Sequence, residues 1–201
     1  MKTNIQRKRV STLLSFLTVV VFALTSCQKE QQAQPAKTDL ALQSNSLSGD
    51  LSSVILSVRG GGQGTFGTDL DGDGDIDGSH FGISISIFEN GSAKGHFNCL
   101  MAGNADILGL PIMSVEGKII NGSSNSNGAT FSGTATVNLG NGTMFKNVPF
   151  SVTVTAGGPG AGTLQLTVIG AFDGVPGDTN VGNGNYDLPT ETVATGQIKI
   201  S

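Results

Sequence analysis

Five carboxylates occupy alternate positions of one short stretch, Thr68-Asp69-Leu70-Asp71-Gly72-Asp73-Gly74-Asp75-Ile76-Asp77-Gly78. Neighbouring carboxylates about 6 Å apart repel by roughly 0.7 kcal/mol per pair even in water, so an ordered loop of them needs a cation to offset the cost. With Asp69 as the first position, Asp71, Asp73 and Asp77 fall at the third, fifth and ninth. Gly74 stands at the sixth, where the chain must turn sharply, and the backbone carbonyl of Asp75 at the seventh adds an oxygen. This is the ligand spacing of a calcium loop. Ca2+ is therefore the expected cofactor, in a structural role: it orders the loop and stabilises the edge of a sheet without activating water. Position twelve is His80 where a bidentate Glu would complete the shell. A further ligand has to come from elsewhere, and Asp173, Asp178 and Asp187 are candidates if the fold brings them near. The competing reading is a solvated turn whose Asp and Gly residues merely suit the backbone.

Little else in the chain is equipped for catalysis. His80 and His96 are the two histidines; His96 has outward parity in its strand, and His80 flanks the acidic loop. Cys99 shares the parity of Phe97 and Met101, which reads as a buried, reduced thiol rather than a nucleophile. No nucleophile elbow, HExxH helix or phosphate-cradling loop is present. Trp is absent and Tyr186 is the single tyrosine, which weakens a sugar-stacking catalytic cleft. The chain is not expected to be an enzyme, and a carboxylate-paired glycan hydrolase is the least favoured alternative.

The address is written at the N-terminus. Lys2, Arg7, Lys8 and Arg9 precede an apolar run from Val10 to Leu24, and Thr25-Ser26 then lead into Cys27. That is the layout of an export signal at residues 1–26 rather than of a membrane span. Removing those residues leaves seven Lys and Arg against all 15 Asp and Glu, a charge of -8 in place of -4. An acidic chain argues against nucleic acid, and against electrostatic docking on anionic lipid, as partners. Residues 27–49 then form a polar segment, QKEQQAQPAKTD followed by QSNSLSG, too poor in large apolar groups to order itself. It reads as a flexible tether on the order of 25 Å long.

From residue 50 to 201 the hydrophobic period is two. Phe81, Ile83, Ile85 and Ile87 alternate with small or polar residues, as do Phe131, Ala135, Val137 and Leu139, and then Phe150, Val152 and Val154, and Leu164, Leu166 and Val168. Glu89-Asn90-Gly91, Asn121-Gly122 followed by SSNSNG, Gly140-Asn141-Gly142 and Gly157-Gly158-Pro159-Gly160 supply the turns. The fold class expected is all-β: a single antiparallel meander of about eight or nine strands in one domain, either barrel-like or a sandwich. Glycines at inward parity (Gly95, Gly117, Gly133, Gly170, Gly196) favour barrel-like closure.

Three resemblances extend this reading. Leu24-Thr25-Ser26-Cys27 resembles bacterial lipoprotein signals, which implies lipidation of Cys27 and a lipid anchor in the membrane. Gln28, where inner-membrane retention uses Asp, then implies the bacterial outer membrane, on its periplasmic face or at the cell surface. The acidic loop resembles EF-hand, dockerin and thrombospondin-type calcium loops over about nine residues. RGGGQGTFG, HFGISISIFENGSAKGHF, SVEGKIIN, GATFSGTATVN, FSVTVTAGGPGAG and TGQIKI resemble an exported bacterial domain of the post-COAP type, which implies a small β-domain with no catalytic residues to transfer. The function expected is a membrane-tethered, calcium-stabilised binding or structural module of the cell envelope, with a glycan or a protein as partner. The alternative is a carrier whose interior, lined by Phe81, Phe131 and Phe150, holds a small apolar ligand.

Overall fold

Alternation of apolar and polar residues builds one antiparallel sheet of nine strands, seen in a computed structural model that describes residues 52–69, 74, 76–107 and 110–201. The strands are β1 (Val54–Thr65), β2 (Gly78–Phe88), β3 (Ala93–Ile107), β4 (Leu110–Asn125), β5 (Gly128–Asn138), β6 (Met144–Thr155), β7 (Thr163–Val168), β8 (Tyr186–Asp187) and β9 (Glu191–Ile200). Each strand from β1 to β7 pairs with its sequence neighbours, and β9 pairs with both β1 and β7. The pairings therefore run in a ring, with β8 a short addition to β7. The ring is irregular. β6 and β7 share six residue pairs, whereas β7 meets β9 at only two, Thr163 with Thr192 and Leu164 with Glu191.

The inward positions are those that parity predicts. Phe81, Ile83, Ile85 and Ile87 from β2, Phe97, Cys99 and Met101 from β3, and Phe150, Val152 and Val154 from β6 are all buried. At the centre the Phe97 ring stacks on Phe150 at 5.7 Å and tilts against Phe131 at 6.0 Å. Gly117 makes room for this stack, since a Cβ there would lie 2.3 Å from the tip of the Phe150 ring. Side-chain amides shape the turns: Asn90 accepts from the Ser92 amide at 3.0 Å, and Asn141 from the Thr143 amide at 2.9 Å.

Three expectations need correction. The turn read from Asn121-Gly122 and the SSNSNG after it is confined to its last part: Asn121-Gly122 lies inside β4 just after a register shift between Ile119 and Asn121, and the chain reverses at Asn125–Gly128. The shift turns Gly122 toward Ile87, whose side chain would lie 2.7 Å from a Cβ at that position. Gly170 lies beyond the end of β7 in an exposed turn at φ 73°, so it is not an inward strand position. Gly196 is exposed as well, at φ 82°, where the backbones of β9 and β1 approach so closely that a Cβ would strike the carbonyl of Gly61. An irregularity in the same pair of strands lets both halves of β9 face inward: Glu191 and Val193 before it, Ile198 after it.

Filling the space at Gly117 tests the central stack. Gly117→Ala should lower stability by about 1–3 kcal/mol by displacing Phe150, read as a lower urea midpoint with an unchanged slope.

Candidate functional site

The acidic loop joins β1 to β2, and its neck is closed by backbone hydrogen bonds. The Phe66 amide donates to the Asp77 carbonyl at 2.8 Å, and the Asp77 amide to the Thr68 carbonyl at 3.1 Å. The Thr65 hydroxyl also donates to the Asp77 carbonyl, at 3.2 Å. Gly74 makes the sharp turn at the sixth position with φ 102°, and its amide donates to Asp69 Oδ2 at 3.0 Å. The first and ninth positions differ in surroundings. Asp69 is exposed, while Asp77 is fully buried and continues the inward parity of Ser79 and Phe81 on β2. Asp71, Asp73 and Asp75 lie outside the described residues, as does Cys27.

The other nominated carboxylates serve their own loop. Asp173 accepts from the amides of Gly182 at 2.7 Å and Gly184 at 2.9 Å. Asp178 accepts from the amides of Gly174 at 2.8 Å, Asn180 at 3.0 Å and Asp187 at 3.2 Å. The bonds from Asn180 and Gly174 hold its carboxyl below the usual aspartate range. Asp187 accepts from the Thr167 hydroxyl at 2.7 Å and the Asn183 side-chain amide at 2.6 Å. These three acids fold the segment between β7 and β9. Burial raises the Tyr186 phenol well above its ordinary range, Asp178 adding to the effect, and its hydroxyl donates to the Pro176 carbonyl at 3.0 Å. Among the described residues, no group of three or more His, Cys, Asp or Glu side chains is placed to hold a metal.

A polar cluster inside the ring escaped the sequence reading. Glu191, the first residue of β9, is 1% exposed, and both its oxygens lie within reach of the Ser79 hydroxyl, at 2.9 and 2.7 Å. The single hydroxyl proton serves one oxygen at a time. Gly64 on β1 leaves the space the carboxyl occupies; a Cβ there would lie 2.1 Å from Glu191 Oε2. Burial pushes the Glu191 carboxyl up to about 7, with the bonds from Ser79 opposing the shift. Burial, with Glu191 adding to it, pushes the Cys99 thiol up to about 12, so Cys99 remains a thiol near neutral pH. The cluster can hold or release one proton but offers no activated nucleophile. The signal that would have found Glu191 was its parity with Val193.

His80 is exposed, with Nε2 2.8 Å from Gln63 Nε2, and His96 is exposed on the outer face of β3, as parity predicted. No family model, curated protein or solved structure matches the chain.

Glu191 sets a pH dependence of stability. Its folded value of about 7 lies above the ordinary 4.5, so the folded state binds the proton more tightly, and stability falls as pH rises between those values. The melting temperature should fall between pH 5 and 7.5, by the equivalent of up to about 3 kcal/mol. Glu191→Gln should remove that slope and melt higher than the wild type at pH 7.5.

Proposed function

We propose that the chain is a lipid-anchored protein of the bacterial envelope whose β-domain is a non-enzymatic binding or structural module with a calcium-ordered loop. Acylated Cys27 holds it in the outer membrane, and residues 28–49 are the tether. The resemblance of its N-terminus to lipoprotein signals supports the anchor, and the resemblance to exported domains of the post-COAP type supports the compartment.

The observation that carries the binding role is the filled interior. The aromatic positions of a carrier cavity, Phe81, Phe131 and Phe150, are packed into one continuous core. The polar cluster of Glu191, Ser79 and Cys99 is sealed within the same ring, each residue at most 2% exposed. Contact with other molecules is thereby left to the loops and the outer faces of the strands. The backbone bonds that close the neck of the acidic loop, with Gly74 at its bend, support the calcium-loop reading of the spacing. Asp69 and Asp77, with Asp71, Asp73 and the carbonyl of Asp75, would hold Ca2+. The ion would supply positive charge that offsets the mutual repulsion of the loop's carboxylates.

Two measurements test this reading. Calcium at millimolar concentration should raise the melting temperature of the full chain in non-ionic detergent by several degrees. Asp71→Ala or Asp73→Ala should abolish the rise, while Asp173→Ala, whose carboxylate serves the other loop, should leave it in place. A melting temperature indifferent to calcium removes the ion from the proposal. In cells supplied with a radiolabelled fatty acid, the wild type should take up label and Cys27→Ser should not; an unlabelled wild type sinks the anchor.

A further inference from the structure

Five Lys and Arg fall between Ser52 and Ser201: Arg59, Lys94, Lys118, Lys146 and Lys199. Strand register gathers four of them on one outer face. Arg59 on β1 lies opposite Lys199 on β9 and opposite Ser84 on β2; Ser84 lies opposite His96 on β3, and His96 opposite Lys118 on β4. One row across five strands thus reads Lys199, Arg59, Ser84, His96, Lys118, all of them exposed. At about 4.8 Å per strand it spans roughly 19 Å. Lys94 is the next outward residue on β3, its Nζ 5.8 Å from the centroid of the Phe88 ring.

This placement costs the sheet stability. Arg59 and Lys199 are like charges directly opposite one another, an arrangement that destabilises a strand pair. Arg59 donates to the Ser84 hydroxyl, and among the described residues no carboxylate forms an ion pair with any of the four cations. Broken local rules of this kind occur at functional sites.

The adjacent row, Gln197, Gly61, Gly82, Asn98, Glu116, is recessed at Gly61, where a Cβ would find nothing nearer than the Phe81 carbonyl at 3.5 Å, while the Asn98 side chain lies over Gly82, its Oδ1 2.4 Å from where a Cβ would be. The row beyond it carries Gln63 and His80, whose side chains meet, so Gly61 and the Asn98 amide form the floor of a shallow trough. At the β3–β4 end of the trough lies an open depression of about 360 Å³ that includes His96, Asn98, Glu116 and Lys118. Glu116 is the carboxylate within the trough, and Glu89, bonded to the Ser53 hydroxyl, stands at the β2–β3 turn. Along β2 the basic row stands clear of the acidic loop: Ser84 is seven residues from Asp77, roughly 23 Å at strand rise and well beyond the Debye length of about 8 Å, whereas His80, on the far wall of the trough, is three residues or about 10 Å from it. The net charge of the chain therefore does not describe this face.

We propose that the trough binds an acidic polysaccharide, a chain of sugars bearing carboxylate or phosphate groups. The anionic groups lie along Lys199, Arg59, His96 and Lys118, and the hydroxyls pair with Gln197, Gln63, Asn98 and Glu116. A recessed floor lined by amides and one carboxylate suits a hydroxyl-rich chain, whereas a flat plane of lipid headgroups would not reach it. The assignment rests on the binding role proposed above and names its partner.

The test is affinity electrophoresis and calorimetry of the full chain in non-ionic detergent, with polygalacturonate as the acidic probe, dextran as the neutral one, and phosphatidylglycerol vesicles as the lipid one. Polygalacturonate should bind, more weakly as salt rises, and dextran and vesicles should not. Arg59→Gln and Lys118→Gln should each weaken binding about fivefold, the factor that corresponds to about 1 kcal/mol per cation at an anionic surface. Both variants should melt no lower than the wild type, which separates loss of binding from loss of fold. Lys146→Gln, on β6, should change nothing. Failure to bind polygalacturonate overturns the assignment, as does equal weakening by Lys146→Gln. Vesicle binding without polysaccharide binding overturns it in favour of a membrane surface. A negative calcium or acylation result leaves the trough standing, so the two readings fail separately.

Discussion

Closure of the sheet depends on β7, the six-residue strand whose two edges must both be satisfied before the ring is complete. One edge is fully paired with β6. The other is divided: Thr163 and Leu164 pair with β9, and Thr167 and Val168 with β8. Between them the Leu188 amide donates to the Leu166 carbonyl at 3.0 Å. An open strand edge exposes backbone groups to other chains, so this patchwork does what a longer β9 would do in a regular barrel. The segment between β7 and β9 is long for a structural reason. It has to return Tyr186–Leu188 to the edge, and Asp173, Asp178 and Asp187 hold it in that path through backbone amides and side chains.

The same seam contains the least conventional residue of the interior. Glu191 is the partner of Leu164 in the two-pair contact, so a carboxyl near its titration point lies at the narrowest join of the ring. An apolar residue there would have satisfied the core. Glu191 is held instead by Ser79 and by the space left at Gly64. Join and proton are therefore coupled: charging the carboxyl in a dry site works against the contact that closes the sheet.

Most of the strand framework was legible because period two is a local signal, carried within each run such as Phe81 to Ile87 and needing no knowledge of neighbours. The sharp turn at Gly74 was legible for the same reason. Features that depend on pairing were not. Whether strands close into a ring is decided by β9, which pairs with β1 from the opposite end of the sequence and with β7 across the long segment between them. β8 is two residues long and carries no periodicity. The turn read from Asn121 onward comes only at Asn125–Gly128 because a register shift inside β4 kept the strand going past a dipeptide that usually ends one. Glu191 was hidden by the irregularity after Val193, which masks its inward parity when β9 is read from Gly196 onward. The basic row is invisible in sequence: its members come from four strands, and only the register sets them side by side.

Ser57 and Ser201 exchange backbone hydrogen bonds at 2.7 and 3.0 Å, so the last residue of the chain lies beside the start of β1. This determines how the domain carries mechanical load. A pull on the residues that precede β1 acts along that strand, which is interior to the sheet and bonded to β2 on one side and β9 on the other. Both ladders are then loaded in shear, so that many bonds share the force at once, instead of being unzipped one pair at a time. The strand that receives the pull also carries Arg59 and Gly61 of the trough floor. Tension between the residues before β1 and anything gripping that face would pass through these two ladders and leave the two-pair β7–β9 join out of the path.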